Sequence, residues 1–154
     1  MRQILVAVLL CLCAAAGLAA AASERLTLPG TGFSVVPLEG CRALIMSLAP
    51  SGGFAPNVNV QVQPYSGTRD QYAALSKSQL ANLGLALVRE QKNGASGWTA
   101  EYTGNMAGRD LHWYARAELK GGNVYLATAT AAKEQWSSVS PKLKACVDSL
   151  RTTK

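Results

Sequence analysis

The chain has 154 residues, 49% of them hydrophobic and 16% charged, with four cysteines and a net charge of +6. That length suits a single domain, and the apolar fraction excludes a disordered chain. No heptad pattern is sustained, which excludes a coiled coil.

In chain order, Met1-Arg2-Gln3 supplies one positive charge and is followed by an uncharged apolar run from Ile4 to Ala22. The run ends in Ala19-Ala20-Ala21-Ala22 before Ser23-Glu24-Arg25 restores polarity. Basic start, hydrophobic middle and small residues at the end are the layout of a secretory signal peptide, with cleavage expected after Ala22. A retained membrane anchor is the competing reading. The alanine-rich second half and the lack of a basic stop-transfer cluster argue against it. Cys11 and Cys13 each follow Leu, which argues against a lipid anchor. Residues 23–154 then form the mature domain, with no stable membrane insertion and the bacterial periplasm, or the exterior, as its compartment. None of the asparagines opens an Asn-x-Ser/Thr site, which fits a bacterial product.

Cys41 and Cys146 survive signal removal and are expected to pair as a disulfide in an oxidising compartment. There is no Cys-x-x-Cys to suggest a redox-active pair.

Gly32–Pro37 and Arg42–Leu48 read as short strands. In the next strand Val58, Val60 and Val62 face one way, and Asn57, Asn59, Gln61 and Gln63 the other. Thr68 with Gln71 forms a capping box for a helix from Arg69 to Leu83, striped by Tyr72, Leu75, Leu80 and Leu83 and stopped at Gly84. Strands follow at Leu85–Gln91, Trp98–Thr103, Leu111–Lys120 and Val124–Ala131. They are joined by turns at Asn93-Gly94, Gly104–Asp110 and Gly121-Gly122. Ser140-Pro141 marks the cap and first turn of a closing helix carrying Leu143, Cys146, Val147 and Leu150. Short strand-to-strand turns imply an α+β fold: an antiparallel sheet of about six strands with a central and a C-terminal helix packed on it.

That order, the opening Gly-Phe-Ser-Val-Val-Pro and the closing helix Leu143-Lys144-Ala145-Cys146-Val147-Asp148-Ser149-Leu150 resemble the PsbP-like superfamily, whose relatives include periplasmic DcrB-type proteins. The resemblance spans roughly residues 30 to 151. It implies an α/β/α sandwich with binding or assembly roles instead of catalysis, and it transfers no functional residue.

The chemistry available is narrow. His112 is the one histidine, and on a strand it shares a face with Asp110, so a small hydrolase using His112 and Asp110 is one reading. Against it stand the absence of a Gly-x-Ser-x-Gly elbow and the commonness of solvated strand histidines. One histidine and two cysteines expected to pair cannot make a zinc site, and no phosphate loop or calcium loop is present, so neither metal nor cofactor is expected. The basic residues are scattered along the chain, which argues against nucleic acid. A polar sheet face made of Asn59, Gln61, Glu101, His112, Tyr114, Arg116 and Glu118 is the candidate binding platform. The reading that follows is an exported, non-enzymatic accessory protein binding an envelope protein. An inhibitor or immunity protein, presenting an acid or base on a loop such as Gly104–Asp110, is a special case. The alternative is a small-ligand carrier with a cavity on the Tyr72 and Leu75 face.

Overall fold

The structure, a computed structural model, describes residues 25–27 and 31–152; the expected signal peptide lies outside the described residues. The chain divides after Glu39 into two units. In the first, strand β1 (Leu26–Thr27) pairs antiparallel with β2 (Ser34–Val35), and the Arg25 guanidinium donates to the Ser34 hydroxyl and carbonyl, both at 2.9 Å.

The second unit holds β3 (Ala43–Ser47), β4 (Asn57–Pro64), helix α1 (Arg69–Asn82), β5 (Ala86–Asn93), β6 (Gly97–Met106), β7 (Arg109–Lys120), β8 (Asn123–Ala132) and helix α2 (Trp136–Asp148). Its six strands form one antiparallel sheet in the order β3-β4-β8-β7-β6-β5. This is the expected α+β fold.

The helices lie on opposite faces of the sheet. On one side α1 sets Tyr72 and Ala73 against Trp98, Ala100, Ala117 and Val124. On the other α2 sets Trp136, Leu143 and Val147 against Val58, Ala127, Ala129 and Ala131. The alternation on β8 explains the arrangement: even-numbered Val124 serves one core, and the odd-numbered alanines serve the other. Alanine at these positions leaves room for a helix to lie close to the strand. Trp98 and Trp113 are core residues as expected, and Trp113 stacks on its cross-strand partner Tyr102 with ring centroids 5.2 Å apart.

The predicted capping box is present. The Thr68 hydroxyl accepts from the Gln71 amide at 3.3 Å, and the Gln71 side chain accepts from the Thr68 amide at 2.8 Å. Three expectations need correction. First, the turn expected over Gly104–Asp110 falls within that span but is tighter. β6 runs on to Met106 and the hairpin closes on Ala107-Gly108, both with positive φ (52° and 77°), so no loop protrudes there. Second, α2 begins at Trp136, one turn before Ser140-Pro141, leaving Pro141 inside the helix. Gln135 fixes that start: its side-chain oxygen accepts from the Ala132 amide, and its side-chain nitrogen donates to the carbonyls of Ser51 and Phe54. Third, Cys41 and Cys146 are free thiols. Cys41 is exposed ahead of the edge strand β3, with its Sγ donating to the Ala43 carbonyl at 2.9 Å, while Cys146 packs half-buried on α2.

Candidate functional site

Five of the seven candidate platform residues gather on the α2 side of the sheet. Antiparallel register places Glu101 opposite Tyr114 and Arg89 opposite Glu101, so β5, β6 and β7 present these residues side by side. α2 runs over β8, β7 and β4, and the β5–β6 part of this face bears the polar residues.

Glu101 is the centre, with its side chain 7% exposed. One oxygen accepts from His112 Nε2 at 2.8 Å and from Lys144 Nζ at 3.1 Å. The other accepts from Arg89 Nε at 2.6 Å and from Lys144 Nζ at 3.1 Å. Burial works against ionisation of Glu101, but the hydrogen bonds from Lys144, His112 and Arg89 outweigh it and hold its pKa below the ordinary carboxylate value. An ionised carboxylate only accepts, so His112 bears its proton on Nε2.

His112 is itself covered. The Trp136 ring lies parallel to the imidazole with centroids 4.0 Å apart. Burial lowers its pKa, and Glu101 only partly restores it, so the ring is neutral at pH 7. Lys144 bridges the layers, its ammonium 5.2 Å from the centroid of Tyr114 and 5.4 Å from that of Trp136. The Tyr114 hydroxyl donates to Asp148 at 2.9 Å; burial, with that acceptor, pushes its pKa up to about 12.

Beside this cluster lies a polar cleft of about 280 Å³, lined by Arg89, Glu90, Gln91, Thr99, Glu101 and Tyr114. On the far side of the sheet, α1 covers a mainly apolar cavity of about 160 Å³ lined by Tyr72, Leu80, Leu83, Tyr102 and Leu126 among others. Leu75 is 47% exposed and does not line it.

Of the seven platform residues, Glu101, His112, Tyr114, Arg116 and Glu118 share the α2 face, and Arg116 pairs with Glu118 at 2.5 Å. Asn59 and Gln61 do not join them. Asn59 is opposite Thr128, which lines the α1 cavity, so both β4 residues belong to the other face. His112 meets Glu101, not Asp110, whose carboxylate accepts instead from Asn105 at 2.9 Å. Sequence reading missed Arg89, Lys144 and Trp136. Trp136 and Lys144 are eight residues apart, two helical turns, and Arg89 and Gln91 alternate on one strand face, but only the register links them to Glu101. Among the described residues, no three His, Cys, Asp or Glu side chains gather to hold a metal ion.

No family model matches the chain, and no curated protein does. A solved structure from Pseudomonas aeruginosa, PA94, described as a putative regulator of unknown function, is similar with TM-score 0.65 and 15% identity. The likeness covers 85% of this chain and 97% of that one. It shows the fold alone. The solution structure of cyanobacterial PsbP (CyanoP) from Synechocystis sp. PCC 6803 is similar with TM-score 0.47 and 17% identity, over 89% of this chain and 96% of that one. Among the described residues, no helix is long and apolar enough to cross a membrane.

Proposed function

We propose that the protein is an exported, non-enzymatic accessory protein of the bacterial periplasm that binds a protein partner through the β5–β7 part of the α2 face. The observation that carries this reading is the saturated state of Glu101. Both its oxygens already accept two hydrogen bonds, and its only histidine neighbour is held under Trp136. A general base needs a free lone pair within reach of substrate, and a nucleophile needs an adjacent base. This cluster offers neither, yet it fixes the walls of an open polar cleft. Rigid charged and aromatic groups around a cleft suit recognition. The apolar run at residues 4–22 supports export.

The test is to express the whole chain in a Gram-negative host with a photocrosslinking residue at exposed Val88, next to Arg89, and, separately, at Ser76 on the opposite face. The expected result is a chain recovered from the periplasm starting at Ser23, with one stoichiometric adduct from position 88 and none from 76. That adduct should disappear when Arg89 and Tyr114 are replaced by Ala. Recovery of uncrosslinked protein alone, or equal capture from both faces, would overturn the reading.

The cavity under α1 favours a second reading, a carrier of a small apolar molecule. A rise in melting temperature with benzene or indole, abolished by Ala115→Leu, would support it.

A further inference from the structure

We infer that the cleft beside Glu101 is a carboxylate-binding site, in which the Arg89 guanidinium, the Thr99 hydroxyl and the Gln91 amide receive an acidic side chain or a free C-terminal carboxylate of a protein partner. The inference deepens the interaction reading and rests on it for the source of the ligand. Its grounds are the inventory of unused donors. Arg89 spends only Nε on Glu101; its two terminal nitrogens have no partner among the described residues, and its side chain is 64% exposed. The Thr99 hydroxyl oxygen accepts from Asn93, which leaves its proton free to be donated. Gln91 is exposed and its amide is unpaired among the described residues. Such a planar fork fits the two oxygens of a carboxylate.

Charge balance points the same way. Glu101 carries one negative charge against two permanent cations, Arg89 and Lys144, with His112 neutral. Arg116 and Glu118 compensate each other, and Glu90 is held by Lys77 at 2.8 Å. The cluster therefore keeps a surplus positive charge at the cleft. Asp148 accepts from the Tyr114 hydroxyl and does not line the cleft. A single surplus charge suits a monoanion better than phosphate or another polyanion.

The experiment titrates the full-length protein with three blocked tripeptides while amide and Arg Nε–H signals are followed by NMR. N-acetyl-Gly-Asp-Gly-amide presents an acidic side chain, N-acetyl-Gly-Gly-Gly presents a free C-terminus, and N-acetyl-Gly-Asn-Gly-amide is the neutral control. A saturable shift at Thr99, Gln91 and Arg89 with either carboxylate peptide is expected, and the peptide that produces it identifies the source. Affinity should fall at least tenfold in Arg89→Gln and again in Gln91→Ala; Arg89→Gln also removes a partner of Glu101, so the amide spectrum of each variant is first matched to that of the native protein. No saturable shift with either peptide, equal binding of the Asn control, or unchanged affinity in Arg89→Gln would overturn the site. If the crosslinked partner is captured equally well by Arg89→Gln, the carboxylate site fails while the interaction reading stands. If the carboxylates bind but no partner is captured, the interaction reading fails while the site stands.

Discussion

Glu101 accepts four hydrogen bonds and is nearly excluded from solvent, so its charge is tied to the native state. Replacing it with Gln leaves Lys144 without its counter-charge. Because Lys144 is a quarter exposed and Arg89 more than half, solvent recovers part of the loss. A destabilisation of about 2–3 kcal/mol is expected in urea unfolding, below the full value for breaking a buried pair. The pH dependence has a definite sign. The folded pKa values of His112 and Glu101 are both depressed, so each contributes stability that is present above its unfolded value and lost as pH falls through its folded value. Stability should therefore decline on acidification from just under the ordinary histidine value of 6.5, and decline further below the ordinary carboxylate value of 4.5. In His112→Gln the upper part of the decline should vanish and the lower part remain. Trp136→Ala removes the cover from the imidazole, so the His112 pKa, followed by NMR, should rise toward its ordinary value while stability drops by about 3 kcal/mol. A His112 pKa unmoved by that change would show that Trp136 does not desolvate it.

At the scale of elements, turns and caps differ in how much they constrain. A Cβ added at Gly97 would lie 2.5 Å from the backbone oxygen of Asn93 and 2.9 Å from a Glu118 oxygen. A backbone atom cannot rotate away, so Gly97→Ala should cost about 1–3 kcal/mol by shifting the β5–β6 hairpin. Thr68→Ala removes one hydroxyl acceptor from the start of α1 and should cost about 1 kcal/mol; parallel urea curves of the two variants check the order. Features of this local kind were legible in the sequence: the Thr68–Gln71 box, the Gly121-Gly122 turn and the alternation of β7 each depend on residues close in the chain. The turn within Gly104–Asp110 was legible but its two-residue form at Ala107-Gly108 was not, because alanine rarely adopts positive φ. The start of α2 was masked by Ser140-Pro141, a pair that imitates a cap, whereas the true start is fixed by Gln135 contacts with residues 51 and 54, far away in sequence. The candidate site was half legible for a related reason. Period-two patterning shows that a strand has two faces but not which face aligns with which across strands. The valines of β4 point to the α2 face that Glu101 and Tyr114 also share, while the apolar residues of β7 point to α1. Grouping polar residues by composition therefore placed Asn59 and Gln61 on the wrong side.

At the scale of the whole molecule, all six strands of the sheet and both helices lie from Gly40 onward, and the three buried clusters draw only on that stretch. The sheet has a helix on each face, so both of its faces are supplied with apolar partners within this unit, the condition for a domain to fold by itself. Its edges are the short β3 and the β5 strand, whose pairing with β6 is broken by an irregularity between Leu87 and Arg89, a feature that blunts edge-to-edge association. A protein comprising residues 40–154 should therefore remain folded. It should give the far-ultraviolet signature of a mixed sheet and helix protein and unfold in urea in one cooperative transition. Probes on the two faces, Trp98 under α1 and Trp136 on α2, should report the same midpoint, because β7 and β8 contribute side chains to the cores on both sides. Two separate midpoints would mean that the helices are independently stabilised layers. A non-cooperative transition would mean that residues before Gly40 complete the core.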